Sequence, residues 1–241
     1  MDKAYINEIF YSIQGEGSLI GYPFLFIRFC ECNLSCNYCD TKKSWKKSKF
    51  VNIFYDNKIE KYKNPIDVEL LFKIIKNYKF NFISFTGGEP LQSEFITNFL
   101  PYLNNKIILI ETNGTLESKI TDKMIDRINY WAVDWKLKSV IEFDLTLKVK
   151  KFLKILFNYN SNIILKVIFN DLTTREEILE IINFINENKN NKSNIEIIFQ
   201  PITKNKKIIL GKNIKHIFEI FQNNNLNFRI IPQVHKILNI K

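Results

Sequence analysis

No uninterrupted apolar run in the 241 residues reaches the roughly 20 positions needed to cross a bilayer. The opening residues, Met1-Asp2-Lys3-Ala4, lack the charged-then-apolar profile of a secretory signal. Both absences predict a cytoplasmic protein, where thiols stay reduced and can ligate metal. Arginine is scarce even though the formal net charge is +10 and the pI about 9.3. The excess is lysine mixed with Ile and Asn, as in Asn188-Lys189-Asn190-Asn191-Lys192, a mixture that an AT-rich genome produces without selection for binding. Arginine is the better fork for bases and phosphates, so neither a nucleic-acid nor a membrane partner is expected. Histidine is down to two residues and cysteine to four, all four cysteines lying between positions 30 and 39. Clustered so tightly they would staple nothing, which excludes a disulfide framework.

Apolar residues, by contrast, make up 46% of the chain, with 21 Phe, enough for a sizeable core. Short continuous apolar runs at 5–10, 24–29, 82–85, 107–110, 130–133, 163–169, 195–199 and 228–231 read as strands. Between them, amphipathic stretches at 67–78, 94–103, 121–128, 147–158, 174–186 and 214–221 read as helices. Asp67 is the expected N-cap of the first, and Thr174 with Glu177 a capping box at the fifth. Strands of this kind separated by helices imply a parallel sheet covered on both faces. The count leaves no room for eight units, so the expected fold is α/β, an incomplete (βα)6-type partial TIM barrel with its site at the C-terminal ends of the strands. The chain reads as a single domain, residues 1–241, in which the polar, Lys-rich stretch at about 42–66 is an insertion or lid.

The most informative stretch is Cys32-Asn33-Leu34-Ser35-Cys36-Asn37-Tyr38-Cys39-Asp40-Thr41. Three thiolates at C-x3-C-x2-C spacing can hold three irons of a 4Fe–4S cluster and leave the fourth open to another ligand. Structural zinc is the competing reading, because Cys30 brings four sulfurs within ten residues. Zinc sites of four cysteines are normally built from two separated pairs, and no second pair exists in this chain.

The other polar motifs fall where the strands are expected to end. Thr86-Gly87-Gly88-Glu89-Pro90 follows one strand, its glycines allowing close backbone approach to a ligand. Glu111-Thr112-Asn113-Gly114, Asp134-Trp135-Lys136, Gln200-Pro201-Ile202-Thr203 and Pro232-Gln233-Val234-His235-Lys236 follow others. Near the start, Ile13-Gln14-Gly15-Glu16-Gly17 puts an amide beside a carboxylate, a set suited to a planar heterocycle. Arg28 interrupts an apolar run. It reads equally as half of an ion pair, with Glu16 or Glu31, or as a fork for a substrate carboxylate.

The cysteine spacing and GGEP together resemble the radical S-adenosylmethionine (SAM) superfamily. QGEG before the cysteines, CDT after them, Gly21-Tyr22-Pro23, Arg28, ETNG and the final QVHK narrow the resemblance, over nearly the whole chain, to the 7-carboxy-7-deazaguanine synthases of queuosine and deazapurine biosynthesis. That resemblance implies conversion of 6-carboxy-5,6,7,8-tetrahydropterin to 7-carboxy-7-deazaguanine with loss of ammonia. In the family an electron from the cluster cleaves SAM, the 5′-deoxyadenosyl radical takes hydrogen from C6 of the pterin, and SAM is regenerated after ring contraction. It further implies the cluster on Cys32, Cys36 and Cys39. SAM is implied beside Tyr38, Cys39, Asp40, Gly88, Glu89, Asn113, Asp134, Trp135, Lys136, Gln200, Pro201, Ile202 and Thr203. The pterin is implied at Ile13, Gln14, Gly15, Glu16, Arg28, Thr86, His235 and the terminal Lys241, with Mg²⁺ on Thr41. A flavodoxin- or ferredoxin-type reductant and a homodimer are implied as partners. Asp134-Trp135-Lys136 departs from the Ser-Pro-Lys common in the family, and Cys30 has no counterpart there. Another small radical SAM protein, such as a glycyl-radical activase, would leave QGEG and CDT unexplained. A basic zinc-binding nucleic-acid module would leave GGEP and ETNG unexplained.

Overall fold

The computed structural model describes residues 3–55, 58–141, 143–204, 207–208, 210, 214–224 and 227–241. The chain divides into two compact units, the first made of Met1–Gln14, Gly21–Thr112 and Ser118–Trp131, the second of Gly15–Ile20, Asn113–Glu117 and Ala132–Lys241.

In the first unit the strands are β1 (Ile6–Ile13), β2 (Pro23–Phe29), β3 (Phe50–Tyr55), β4 (Lys58–Lys63), β5 (Phe82–Gly87) and β6 (Ile107–Thr112), ordered β6-β5-β2-β1-β3-β4. β2, β5 and β6 run parallel, as their continuous apolar sequences predict. β1 is antiparallel to β2, and β3 to β4, so this edge of the sheet is mixed. Helix α1 (Val68–Ile75) buries Val68, Leu71, Ile74 and Ile75 at helical spacing, and Asp67 caps it by accepting from Leu70 N–H at 2.8 Å. α2 (Phe95–Phe99) and α3 (Asp122–Arg127) complete the unit.

The β3–β4 hairpin occupies the stretch read from sequence as an irregular insertion. Only Val51 and Ile53 of β3 are fully covered, and β4 carries Lys58, Lys61 and Lys63 along an outer edge. Such a strand has no apolar run to announce it, while its lysines guard the open edge against further pairing. Asn64 ties the hairpin to the sheet: its Nδ2 donates to the carbonyls of Ile6 and Ser48, and its Oδ1 accepts from Ile6 N–H.

In the second unit β7 (Tyr130–Lys136, which begins in the first unit), β8 (Asn162–Phe169), β9 (Asn194–Pro201) and β10 (Phe228–Ile230) lie in that order. β8, β9 and β10 are parallel. Besides the single turn Lys138–Ile141, the helices described are α4 (Thr146–Phe157), α5 (Arg175–Asn188), α6 (Ile214–Asn224) and α7 (Val234–Leu238). α5 buries Ile178, Ile181, Ile182 and Ile185 and carries the predicted capping box of Thr174 and Glu177. Seven of the eight residues of β8 are buried, including one charge, Lys166. Among the described residues no helix is long and apolar enough to cross a membrane.

Candidate active site

The site residues of the first unit gather where β2, β5 and β6 end. β2 runs out at Phe29, the chain turns through Glu31 in a left-handed conformation (φ 71°), and the cysteine loop follows. The root of that loop is clamped to the loop after β5. Gly88 N–H donates to Phe29 O at 3.0 Å and Glu89 N–H to Glu31 O at 2.7 Å. A Cβ on Gly88 would stand 1.9 Å from Glu31 O, and one on Gly87 (φ 130°) 2.4 Å from Phe29 N and O. Both glycines are therefore dictated by backbone packed on backbone, a cause beyond the ligand approach expected from the sequence. Glu89 is buried, and its Oε1 accepts from Leu91 N–H and Thr112 Oγ1. Its carboxylate thus caps the next turn and joins it to β6.

Cys32, Cys36 and Cys39 are free thiols, Cys36 buried and the other two partly exposed. Leu34 N–H donates to Cys32 Sγ at 3.5 Å and Trp45 Nε1 to Cys39 Sγ at 3.3 Å. N–H groups aimed at sulfur suit thiolates that carry an iron–sulfur cluster, whose potential such bonds adjust. Thr41 Oγ1 lies 3.6 Å from Cys39 Sγ, Tyr38 is half-buried, and Asp40 is exposed. Cys30 is different: burial pushes its thiol up, a backbone hydrogen bond at Ser48 opposes this, and the Glu31 charge adds to it.

Arg28 finds neither partner foreseen for it. Its Nε donates to Glu8 Oε1 at 2.8 Å, the residue opposite it across the β1–β2 ladder, and its guanidinium lies over the Phe10 ring. Alternate positions on paired strands bring Glu8 and Arg28 to one face, a register that sequence alone does not supply. A second acceptor is Glu111, read from sequence as the start of a polar turn and found within β6. It receives Gln14 Nε2 at 3.1 Å, Ser84 Oγ at 2.7 Å and Thr86 Oγ1 at 3.4 Å. Two expected substrate contacts, Gln14 and Thr86, are thus gathered on one carboxylate. Ile13 ends β1 half-buried.

The second unit holds the rest. Gly15 accepts from Val234 N–H at 2.9 Å, and a Cβ on it would stand 2.2 Å from His235 Nδ1, so the early turn and the final helix are fitted to one another. Glu16 Oε1 accepts from Gln233 Nε2 at 2.6 Å and its Oε2 from Lys166 Nζ at 2.7 Å. Burial works to raise the Glu16 carboxyl, but the Lys166 charge and these two hydrogen bonds, with a smaller contribution from His235, hold it far below its ordinary range. Asp134 is pulled down in the same way: burial and Glu16 oppose its ionisation, and Lys136 and Lys166 outweigh them. Lys166 carries the same sequence signal as Arg28, a charge interrupting an apolar strand, and its two carboxylate partners come only from the fold.

Asp134, Trp135 and Lys136 belong to β7 and not to a loop after it. Trp135 departs furthest from expectation, since its side chain is buried against Phe184 and only its backbone remains to meet a ligand. Gln200 and Pro201 close β9, and Ile202 N–H donates to Phe169 O at 3.2 Å. Gln200 Oε1 and Thr203 Oγ1 are buried with no hydrogen-bond partner among the described residues, as expected of groups that await a polar ligand. Asn113 Oδ1 accepts from Thr115 N–H and Oγ1, while Lys241 is exposed at the end of the sequence.

Known proteins resemble this chain along most of its length. The family model described as the radical SAM superfamily matches residues 26–201. The 7-carboxy-7-deazaguanine synthase of Thermoplasma acidophilum is 32% identical over 237 residues, 97% of this chain and 96% of that protein. The protein of the same name from Archaeoglobus fulgidus is 33% identical over 251 residues, 99% of this chain and all of its own length. The crystal structure of QueE from Escherichia coli aligns over 97% of this chain and 95% of its own, with a TM-score of 0.68 at 24% identity. Native anSMEcpe, solved with bound AdoMet and a Cp18Cys peptide, aligns over 83% of this chain and 60% of its own, with a TM-score of 0.51 at 18% identity. The two structures speak for the fold, the α/β partial barrel of radical SAM enzymes. By whole-length identity and by its family match, this chain belongs to the 7-carboxy-7-deazaguanine synthase family of the radical SAM superfamily.

Proposed function

We propose that the chain converts 6-carboxy-5,6,7,8-tetrahydropterin to 7-carboxy-7-deazaguanine, releasing ammonia, in queuosine biosynthesis. The observation that carries this is the cysteine loop: three free thiols, two of them receiving N–H donors, on a root clamped to GGEP. It stands in a chain 32% identical to a synthase of that name along nearly its whole length.

Cys32, Cys36 and Cys39 would hold a 4Fe–4S cluster, and the donor set fits one: three free thiols on one short loop, two of them receiving N–H donors. With SAM bound, that cluster would supply the electron that cleaves SAM to methionine and the 5′-deoxyadenosyl radical, the agent for hydrogen removal at C6 of the pterin. The chain's own residues position the reactants. Gln200 and Thr203 offer SAM buried polar atoms, and Tyr38, Asp40, Gly88, Asn113 and Lys136 are assigned beside it. The pyrimidinone edge of a pterin presents an amino group and a ring N–H. An ionised carboxylate accepts from both, and Glu16 is held ionised. The substrate carboxylate needs a countercharge, which Arg28 supplies: its Nε is engaged by Glu8, and the terminal nitrogens of the guanidinium complete the fork. Glu111, Gln14 and Thr86 hold one another in place for the ring, with His235 next to Gly15. Thr41 is assigned to Mg²⁺, a hard ion suited to hydroxyl, water and substrate carboxylate oxygens. A flavodoxin- or ferredoxin-type protein would deliver the electron, in a cytoplasmic homodimer.

The test is anaerobic incubation of reconstituted protein with SAM, dithionite, Mg²⁺ and the carboxylated tetrahydropterin, read by mass spectrometry. 7-Carboxy-7-deazaguanine is expected from the intact protein and none from Cys36→Ala. SAM cleavage with the pterin untouched would sink the substrate assignment, and zinc without iron would sink the cluster as well.

A further inference from the structure

Lys166 stands in the middle of β8 with its side chain 5% exposed, among apolar neighbours. Burying an ammonium costs several kcal/mol unless it is closely matched, and an apolar residue of similar volume would hold the strand at least as well. Here two carboxylates face it. Nζ lies 2.7 Å from Glu16 Oε2 and 2.9 Å from Asp134 Oδ1. Asp134 Oδ2 accepts from Lys136 Nζ at 2.7 Å, and beyond Glu16 the line continues through Gln233 to Lys236 Nζ. Residues from β7, from the early turn and from the C-terminal segment are thus strung on one lysine.

We propose that Lys166 is a positioning residue that keeps Glu16 an ionised, acceptor-only carboxylate for the donor edge of the pterin and fixes Asp134, and through it Lys136, beside the SAM site. This rests on the proposed function. Without Lys166, Glu16 and Asp134 would be two carboxylates at close range with one proton to share. The charged and titratable groups facing Glu16 within its unit are then Asp134 on β7 and His235 on the C-terminal segment, with Gln233 as a neutral donor. Asp134 would retain Lys136, so the proton would settle on Glu16. A protonated Glu16 presents an O–H where the pterin presents N–H donors, and the ligand loses its acceptor.

The test measures equilibrium binding of 6-carboxypterin, the oxidised and unreactive form of the substrate, by its own fluorescence. Cluster-loaded wild type, Lys166→Met, Lys166→Gln and Lys166→Met/Asp134→Asn are compared from about pH 5.5 to 7.5, with a melting curve for each. Both single variants are expected to bind like wild type at the upper limit. Relative to wild type they should weaken as pH falls, by up to about tenfold per unit, the slope of one proton. The double variant should flatten that slope by removing the competing carboxylate. Lys166→Gln keeps a donor toward Glu16 and the bulk of the side chain, so it carries the test if Lys166→Met melts too low to measure. Equal binding by the single variants and wild type across the range would overturn the proposal. So would a uniform loss that tracks the melting temperature and is not flattened in the double variant. Failure of wild type itself to bind the pterin would overturn the substrate assignment and this proposal with it, an outcome visible before any variant is examined.

Discussion

Single residues in this protein are fixed by what they touch as much as by what they bind. Gly88 looks like a ligand-contact glycine, yet the nearest atom to its missing Cβ is the carbonyl of Glu31, at 1.9 Å. Gly88→Ala must push the cysteine loop root away from β5, since backbone gives way less readily than a flexible side chain. The expected outcome is a lower melting temperature together with less iron per chain after anaerobic reconstitution. Normal iron content in a folded Gly88→Ala protein would mean that the clamp does not shape the loop. The Glu8–Arg28 pair and the convergence of Gln14, Ser84 and Thr86 on Glu111 make the same point. The sequence marks Arg28, Gln14, Thr86 and Glu111 as polar candidates, but which of them meet is decided by the packing of neighbouring strands.

Elements were legible where a local rule is strong. The apolar runs mark the parallel strands because a strand buried on both faces has no polar phase. The helix caps are legible because capping is settled within four residues. In α5 the Thr174 side chain accepts from Glu177 N–H at 3.2 Å and Glu177 Oε2 accepts from Thr174 N–H at 3.0 Å. Thr174→Ala should cost about 1 kcal/mol, lowering the melting temperature by roughly 2–4 °C for a chain of this size. Turnover should be unchanged, because the cap is exposed and belongs to no ligand contact. The β3–β4 hairpin was not legible: four of the six residues of β4 are exposed, and its order comes from pairing and from Asn64, 58 positions away from Ile6 in sequence. β7 was read too short for a related reason. Asp134 and Lys136 look like loop residues but continue the strand with their charges paired.

For the molecule as a whole, the buried charges of the second unit set how stability depends on pH. Glu16 and Asp134 both titrate below their ordinary range in the folded protein. Their contribution is therefore complete above the unfolded carboxylate range, near 4.5 for Glu16, and is lost as pH falls through the lower folded values. Glu16→Gln leaves Lys166 facing one fewer negative charge, so it should destabilise the protein at neutral pH. The gap between variant and wild type should narrow as the pH drops below about 4, where wild type begins to lose the same interaction. Urea unfolding at both pH values checks this, and a constant gap would show that the Glu16 charge carries none of it.

By itself the sequence determined the family and, outside the β3–β4 hairpin, the order of strands and helices, and it singled out Cys32, Cys36 and Cys39 as the candidate cluster ligands, because cysteine spacing, apolar periodicity and capping act over a few residues. Tertiary structure alone decided which charge meets which: Arg28 with Glu8, Glu111 with three donors, and Lys166 between Glu16 and Asp134. The reason is that a side chain's partner depends on strand register and on residues as far apart as 150 positions for Lys166 and Glu16 and 217 for Gln233 and Glu16. No local pattern in the sequence carries that distance.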